Sequence, residues 1–394
     1  MLSQLMSYDQ NTILLYFGIV FVSTILAVFS QRGLSGSFDY GVSVKLPYVL
    51  SFFNSAFFVS FTTVGADRAN YAYFFQGITF DRILHGSEPG FELIQFVVYQ
   101  IIKNPNVFIV IICLWTVYNI YRGLWEFKND ISLGMAIFIY VSQYYFQSFS
   151  LIRIYFAASL LIRFAYLIKE EKYVKYAIVI LIAVSMHYSV LFALIAYVLS
   201  FAFLKSRQLS GFKFYLLVAL SIGFSTFGTG TVGLLVNFSG NAVISKYSLF
   251  LTGINGNQLG LKWIFNIIPY LLVFSFRKTF ADEEKKYMSF TMAYLIIALS
   301  VSLLSYYIPV IGRGLIVLNM PILVILPLGM GMFRNKRYLY PNEYLRIGTR
   351  KIGIKMSYRG IRTICLCWGF VSLVMYLSEY VPIDKIDNFR FIWS

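Results

Sequence analysis

Hydrophobic residues dominate the chain in long runs, which polar and charged residues interrupt at short intervals. Most runs are long enough to cross a bilayer as a helix, since one crossing takes about 20 apolar residues. The pattern predicts about twelve crossings, at residues 13–29, 46–64, 106–124, 131–148, 151–168, 173–186, 188–204, 214–236, 261–276, 288–307, 311–333 and 363–380. We therefore expect an all-α, polytopic transmembrane helix bundle that forms a single integral membrane domain over residues 1–394.

The polar stretches between these runs are too short to fold as separate domains. The first long one, residues 65–105, contains an apolar segment at 91–102 that is too short to cross the bilayer comfortably. We expect this segment to form an interfacial or re-entrant helix in an outer loop. Two further loops are predicted, an outer one at residues 237–260 and a basic cytoplasmic one at residues 334–362.

Basic residues predict the orientation of the crossings. The net charge is +16, and with the N-terminus outside, 23 of the 33 Lys and Arg residues fall on the inner side and nine on the outer side. Because positively charged loops stay in the cytoplasm, this split places both termini outside. The charge lies between hydrophobic spans and not on a polar face, which argues against a nucleic-acid partner.

The composition excludes the other large classes of protein. Hydrophobic residues make up 59% of the chain and charged residues 13%, about half of the charged share in a soluble protein. The three cysteines all lie in apolar runs and cannot form a disulfide framework. The sequence has no Walker motif, dinucleotide fingerprint, Cys/His cluster or DxD-like pair for a metal-held nucleotide sugar. We therefore expect neither a cofactor nor a metal ion.

Ionisable residues at the predicted outer ends of the crossings are the candidates for chemistry. His187 interrupts an apolar stretch at the reversal between two short crossings, where a neutral imidazole can accept a proton. Arg153 begins another crossing at a similar depth, and Arg313 lies in a turn that the topology also places outside. A guanidinium group presents a planar fork to phosphate oxygens. The alternatives are a histidine that fixes the turn and arginines that extend toward lipid headgroups.

The first outer loop supplies acidic and aromatic residues. Asp67 and Tyr71 are four residues apart, on one face of a predicted helix, and Glu88 follows later in the loop. Such a loop can bind sugar hydroxyls through its carboxylates and aromatic faces. The alternative is a solvated loop of mixed charge.

Taken together, these residues resemble the EpsG family of bacterial membrane proteins, a branch of the Wzy-type polysaccharide polymerases. The matching motifs are, in order, Gly65-x-Asp67 with Tyr71, then Glu88-Pro89-Gly90-Phe91, Arg153-x-x-x-Ala157, His187-Tyr188-Ser189, and Arg313 with Pro321. One position departs from the pattern, because Ile154 stands where a polar glutamine commonly follows the arginine.

The resemblance implies a metal-independent polymerase that joins undecaprenyl-pyrophosphate-linked oligosaccharide repeats into a surface polysaccharide such as a capsule, exopolysaccharide or O-antigen. The reaction takes place at the outer face of the bacterial cytoplasmic membrane. In this scheme Arg153 binds the donor pyrophosphate and His187 accepts the proton of the incoming hydroxyl. Arg313 is a second phosphate contact, and the residues that bind or orient the sugar are Asp67, Tyr71, Glu88 and Tyr188.

The implied partners are membrane lipid and two proteins of the same pathway, a chain-length regulator and a flippase.

Three other functions stay open. A glycan ligase or single-addition glycosyltransferase would use an outer-loop acid such as Asp67 as its base. A flippase or polysaccharide transporter would place ionisable residues along a path through the midplane. An acyltransferase would need an acidic partner for His187, and no acidic residue is spaced with it as such sites usually require.

Overall fold

The protein is helical throughout the part of the chain that the structure, a computed structural model, describes. That part comprises residues 8–34, 41–204, 261–275, 285–307, 312–336, 358–379 and most of 381–393, with isolated positions between 216 and 223. Within it, one isolated antiparallel bridge joins Thr62 to Phe391, and the predicted all-α fold is confirmed. The predicted crossing at 214–236, the loop at 237–260 and most of the basic loop at 334–362 lie outside the described residues.

The helices follow one another closely in the first half of the chain. They are α1 (Gln10–Leu34), α2 (Gly41–Ser60), α3 (Arg68–Gln76), α4 (Phe80–His85), α5 (Pro89–Ile101), α6 (Pro105–Glu126), α7 (Leu133–Gln143), α8 (Ile152–Arg163), α9 (Tyr166–Lys169), α10 (Tyr173–Met186) and α11 (Leu191–Leu204). The later described helices are α12 (Leu261–Ser275), α13 (Lys285–Tyr307), α14 (Gly312–Asn319), α15 (Ile322–Lys336) and α16 (Tyr358–Glu379). Short 3-10 helices lie at Phe146–Phe149 and Tyr188–Val190.

Among the described residues, four helical stretches are long and apolar enough to cross a membrane. They are Gln10–Gln31, Pro105–Glu126, Gly312–Gly331 and Arg359–Glu379. Shorter apolar helices accompany them at Leu133–Gln143, Tyr173–Met186, Tyr188–Phe201 and Phe290–Ser302. The protein is therefore a helical membrane protein, and the number of about twelve crossings stays a prediction.

Local sequence signals explain where several helices begin. Proline occupies the first position of both α5 and α6, where its missing N–H breaks no helical hydrogen bond. Ser132 accepts a hydrogen bond from the backbone N–H of Met135 and so caps α7. The predicted crossing at 311–333 is interrupted at Pro321, which separates α14 from α15 because a proline cannot continue the helical ladder.

Several helix ends meet at one end of the bundle, which we call the upper end. The Tyr8 hydroxyl donates to the carbonyl of Ser378 at 3.1 Å, joining the start of α1 to the end of α16. The Ser150 hydroxyl accepts from the backbone N–H of Ala66 at 3.0 Å and donates to the carbonyl of Asp384 at 2.9 Å. The end of α2, the start of α8 and the segment after α16 are therefore held together.

Ion pairs join the opposite ends of the same helices, at what we call the lower end. Lys169 Nζ lies 2.5 Å from Asp130 Oδ2, and Arg163 Nη1 lies 3.6 Å from Glu126 Oε1. Arg163 is at the last turn of α8 and Arg153 at its first, so this helix connects the two ends. The basic residues of the lower end match the side that the charge distribution assigns to the cytoplasm.

The loop after α2 is fixed by a buried arginine. Arg68 Nη1 donates to the carbonyl of Thr62 at 2.6 Å, and its Nη2 donates to the carbonyl of Val59. Gly65 has φ +130°, and a Cβ there would lie 2.2 Å from the carbonyl oxygen of Phe149. Only glycine fits this conformation and this close approach, so the start of α3 has a defined position on the bundle.

Helix α5 has its polar side turned inward. Glu92 and Gln95 are buried against the protein, whereas Leu93, Val97 and Ile101 are 49%, 48% and 75% exposed. This arrangement is the reverse of a water-soluble amphipathic helix and is expected where a helix lies against lipid. The interfacial or re-entrant placement of this helix stays a prediction.

The orientation can be tested with single cysteines on intact cells. In a Cys367→Ser background, Leu84→Cys lies on α4, where the native side chain is 65% exposed, and Glu170→Cys lies at the lower end. We expect a membrane-impermeant thiol reagent to label Leu84→Cys and to reach Glu170→Cys only after lysis. Labelling in the reverse order would contradict the assigned sidedness.

Candidate functional site

A buried carboxylate joins three helices at the upper end. Glu88, which is 1% exposed, lies immediately before α5. Its Oε2 is 2.5 Å from Nη1 of Arg153 on α8, and its Oε1 is 3.7 Å from Nε2 of His187 at the end of α10. Residues from three distant parts of the sequence thus form one cluster of ionisable groups, which we call the Glu88 cluster (Glu88, Arg153 and His187).

A glycine allows these helices to approach one another. A Cβ at Gly90 would lie 2.2 Å from Oγ of Ser185 and 3.0 Å from Cε of Met186. A side chain at this position would require Ser185 and Met186 to move, and a large one would push α5 away from α10. Pro89 fixes the first turn of α5, so Glu88 enters the gap between α8 and α10.

Arg153 lies beside two neighbouring aromatic rings. Its guanidinium carbon lies 5.3 Å from the centre of the Tyr71 ring and 5.9 Å from that of Phe91. A cation in the first turn of a helix is opposed by the helix dipole by about 0.3–1 kcal/mol, which the rings and Glu88 offset. The Arg153 side chain is 35% exposed, whereas its Nε is buried and has no hydrogen-bond partner among the described residues. The exposed part of the side chain remains accessible to an anion.

His187 is a neutral imidazole with a defined tautomer. Its Nδ1 accepts a hydrogen bond from the backbone N–H of Ser189 at 3.1 Å, so the ring proton is assigned to Nε2, which faces Glu88. Burial, followed by the positive charges of Arg153 and Arg313, lowers the pKa of His187 to about 3. The ring stacks on Tyr188, with 4.9 Å between ring centres.

Burial and neighbouring groups act in opposite directions on the pKa of the Glu88 carboxyl. Burial raises its pKa above the usual range, while the charge of Arg153 and the backbone amide of Tyr188 act in the opposite direction. The neighbouring carboxylate of Glu92 adds to the increase. Among the described residues, Oε1 of Glu88 has no hydrogen-bond partner. One oxygen of this carboxyl is therefore held by Arg153, and the other remains able to accept a hydrogen bond.

The other residues predicted for the site also lie at the upper end. Asp67 is half-buried at the start of α3, one turn before the buried Tyr71, and its charge acts on both Tyr71 and Arg153. Tyr188 is 39% exposed beside His187. Arg313 is exposed at the start of α14, and its charge acts on His187. The structure thus places all the predicted residues around the Glu88 cluster, and their roles stay predictions.

Sequence reasoning gave no role to two residues of this region. Phe91 forms one side of the Arg153 position, and Asp384 accepts a hydrogen bond from the hydroxyl of Tyr376 close to Asp67. Burial raises the pKa of Asp384. The Glu-Pro-Gly-Phe motif was a signal for Phe91, whereas no pattern in the sequence points to Asp384.

The chemistry available here is anion binding and proton exchange. The exposed part of Arg153 can bind an anion, and Glu88 can gain or lose a proton. The residues that the structure describes contain no group of three or more His, Cys, Asp or Glu side chains able to hold a metal ion.

Fold and site together define a helical membrane protein with a buried Arg–Glu–His cluster at one end of its bundle. A family model described as the EpsG family matches residues 45–340, most of the chain. The chain therefore belongs to the EpsG family, and this membership indicates a polysaccharide polymerase-like role. No curated protein and no solved structure matches the chain.

The state of His187 can be measured directly. The chain has two histidines, so a His85→Asn variant leaves His187 as the single imidazole. We expect its ¹⁵N NMR signals to show a neutral ring protonated on Nε2, with no titration between pH 8 and pH 5, since burial disfavours the charged form. A midpoint near the ordinary histidine value of about 6.5 would contradict this environment.

Proposed function

We propose that this protein is a polymerase that joins undecaprenyl-pyrophosphate-linked oligosaccharide repeats at the outer face of the bacterial cytoplasmic membrane. The proposal includes about twelve crossings, with the upper end outside. The observation that carries it is the Glu88 cluster, in which Arg153, Glu88 and His187 come together from three helices at one end of a membrane bundle. Membership of the EpsG family supplies the reaction class.

In this proposal the two arginines bind the donor pyrophosphate. Arg153 keeps Nη1 on Glu88 and offers its exposed N–H groups to phosphate oxygens. Arg313, exposed on α14, is a second contact. As the bond between the anomeric carbon and the pyrophosphate breaks, negative charge develops on the leaving oxygen, and a fixed cation stabilises it.

The acceptor sugar approaches the same cluster on a second lipid carrier. Its hydroxyl attacks the anomeric carbon of the donor and loses its proton to a group of the Glu88 cluster. Tyr71, Tyr188 and Asp67 orient the sugar through ring faces and a carboxylate. We propose direct displacement, which inverts the configuration of the anomeric carbon.

The contact between Glu88 and His187 also favours a second candidate function, acyl transfer to a sugar hydroxyl. In the sequence, no acidic residue has the spacing from His187 that acyltransferase sites usually require. In the structure, Glu88 lies 3.7 Å from Nε2 of His187. An acyltransferase would form base-labile esters and leave the glycan chain length unchanged. Product analysis therefore separates it from a polymerase.

The proposed function can be tested with purified protein in liposomes, supplied only with the undecaprenyl-pyrophosphate-linked repeat unit. We expect a ladder of longer lipid-linked glycans with no nucleotide sugar added and with metal chelated. Addition of a single unit would identify a transferase or ligase. Translocation of the glycolipid without new glycosidic bonds would identify a flippase. Either outcome would overturn polymerisation.

A conservative substitution tests the phosphate contact. Arg153→Lys keeps the positive charge but removes the planar fork, so we expect at least a tenfold loss of long glycans, since a point charge cannot make two parallel contacts (about 1.4 kcal/mol for each factor of ten). Arg163→Lys, on the same helix at the lower end, is the matched control and is expected to polymerise normally. The measurement is the glycan ladder at equal protein level, and an unchanged ladder with Arg153→Lys would remove the fork from the mechanism.

A further inference from the structure

We propose that Glu88 is the group that accepts the proton of the acceptor hydroxyl, and that Arg153 couples the protonation of Glu88 to donor binding. This inference rests on the proposed function and assigns its proton transfer to one atom, Oε1 of Glu88. It replaces the role that the sequence alone gave to His187.

The geometry leaves His187 without a lone pair for the incoming hydroxyl. Nδ1 accepts the backbone N–H of Ser189, and Nε2 carries the proton that faces Glu88. Both ring nitrogens would have to change partners before the ring could act as a base. His187 therefore presents an N–H toward the Glu88 carboxylate and acts as a positioning residue.

Glu88 has the atoms that the proton transfer needs. Oε2 is anchored by Arg153, while Oε1 has no hydrogen-bond partner among the described residues and points toward the side of His187. A carboxylate held by one oxygen can accept a proton on the other and keep its hydrogen bond to Arg153, while the ion pair becomes a contact between a cation and a neutral carboxyl group. Oε1 is buried, whereas the Arg153 side chain beside it is 35% exposed. In this proposal, donor phosphate bound to Arg153 brings the acceptor hydroxyl to Oε1.

The charges around Glu88 explain why donor binding activates it. The groups that face it or act on its neighbours are Glu92 and Arg82 from its own loop, Tyr71 and Asp67 of α3, Arg153 of α8, His187 with the amide of Tyr188, and Arg313 of α14. Glu92 is paired with Arg82 at 3.6 Å, and His187 is neutral, so Arg153 is the cation in contact with Glu88. A pyrophosphate bound to Arg153 offsets that charge, and the affinity of Glu88 for a proton rises.

The step balances without any further reactant. The O–H bond of the acceptor breaks and its proton moves to Oε1 of Glu88. The acceptor oxygen forms the new bond to the anomeric carbon. The bond from that carbon to the pyrophosphate breaks, and its electron pair leaves with undecaprenyl pyrophosphate. When this anion departs, Arg153 again acts on Glu88 alone, and the proton passes to water.

The rival explanation is that Glu88 serves only to hold the helices together. A buried ion pair that loses one partner is destabilising, so loss of activity in a Glu88→Ala variant would not separate the two roles. Glu88→Gln keeps the shape and one hydrogen-bond acceptor for Arg153 but cannot take up the proton. Glu92→Gln changes the neighbouring buried carboxylate on α5, which pairs with Arg82 and makes no contact with Arg153, and is the matched control.

The linkage is tested first without any turnover. The probe is a farnesyl methyl pyrophosphate diester, which resembles the donor and has no titratable proton near pH 7. Isothermal titration calorimetry in buffers of different ionisation enthalpy counts the protons taken up on binding. We expect a small uptake, well below one proton, by the wild type and by Glu92→Gln, because Glu88 has to stay mostly ionised to act as the base, and none by Glu88→Gln. Uptake of a full proton by the wild type would leave Glu88 protonated before the attack and would overturn its role as the base. Equal uptake by wild type and Glu88→Gln, or no uptake by the wild type, would overturn the linkage.

Polymerisation then tests the base itself. In Glu88→Gln we expect a loss of about 100-fold or more, as for removal of a general base, with diester binding at least as tight as in the wild type. Glu88→Asp is expected to restore part of the activity and Glu92→Gln nearly all of it. Polymerisation by Glu88→Gln within threefold of the wild type would overturn the assignment. A wild type that takes up the proton but makes no polymer would overturn the proposed function and leave the Glu88–Arg153 linkage intact.

Discussion

A carboxylate removed from water has to be paired, and this requirement at Glu88 organises the upper end of the bundle. Its partner Arg153 begins α8, and His187 ends α10, so satisfying one buried charge fixes the relative positions of three helices. The arginine is itself unfavourably placed in the first turn of a helix. Neither group is stable there without the other, because each would be left as an unpaired charge.

Much of the architecture could be predicted because hydrophobic runs specify helices directly. The same logic identified Arg153, His187 and Arg313, since an ionisable residue beside an apolar run is conspicuous in the sequence. Glu88 could be placed in the outer loop, but the sequence did not show that it is the acid that pairs with Arg153. The loop also contains Asp81 and Glu92, and which acid turns inward depends on the passage of Gly90 beside Ser185, a contact between residues almost a hundred positions apart.

Other features depend on contacts that no periodic pattern records. The segment after α16 is anchored by backbone groups, as where the carbonyl of Ile386 accepts from the hydroxyl of Tyr16 at 2.6 Å and the carbonyl of Arg390 accepts from the N–H of Thr63 at 2.9 Å. Nearly every residue carries these backbone groups, so the sequence does not show which of them form the contacts. The break at Pro321 could have been predicted, because a proline interrupts a helix. The anchoring of the final segment leaves no such signal in the sequence.

The inward polar side of α5 has a consequence for the membrane itself. Leu93, Val97 and Ile101 face outward, and the residue before the same helix completes the pair with Arg153. A rigid helix of 13 residues cannot change its depth or tilt in hydrocarbon without moving its first turn. The hydrophobic thickness of a membrane is set by its acyl-chain length and by its sterol or hopanoid content. A change in this thickness therefore changes the geometry of the ion pair between Glu88 and Arg153. In the proposed function, the surrounding lipid is in this sense a structural component of the site.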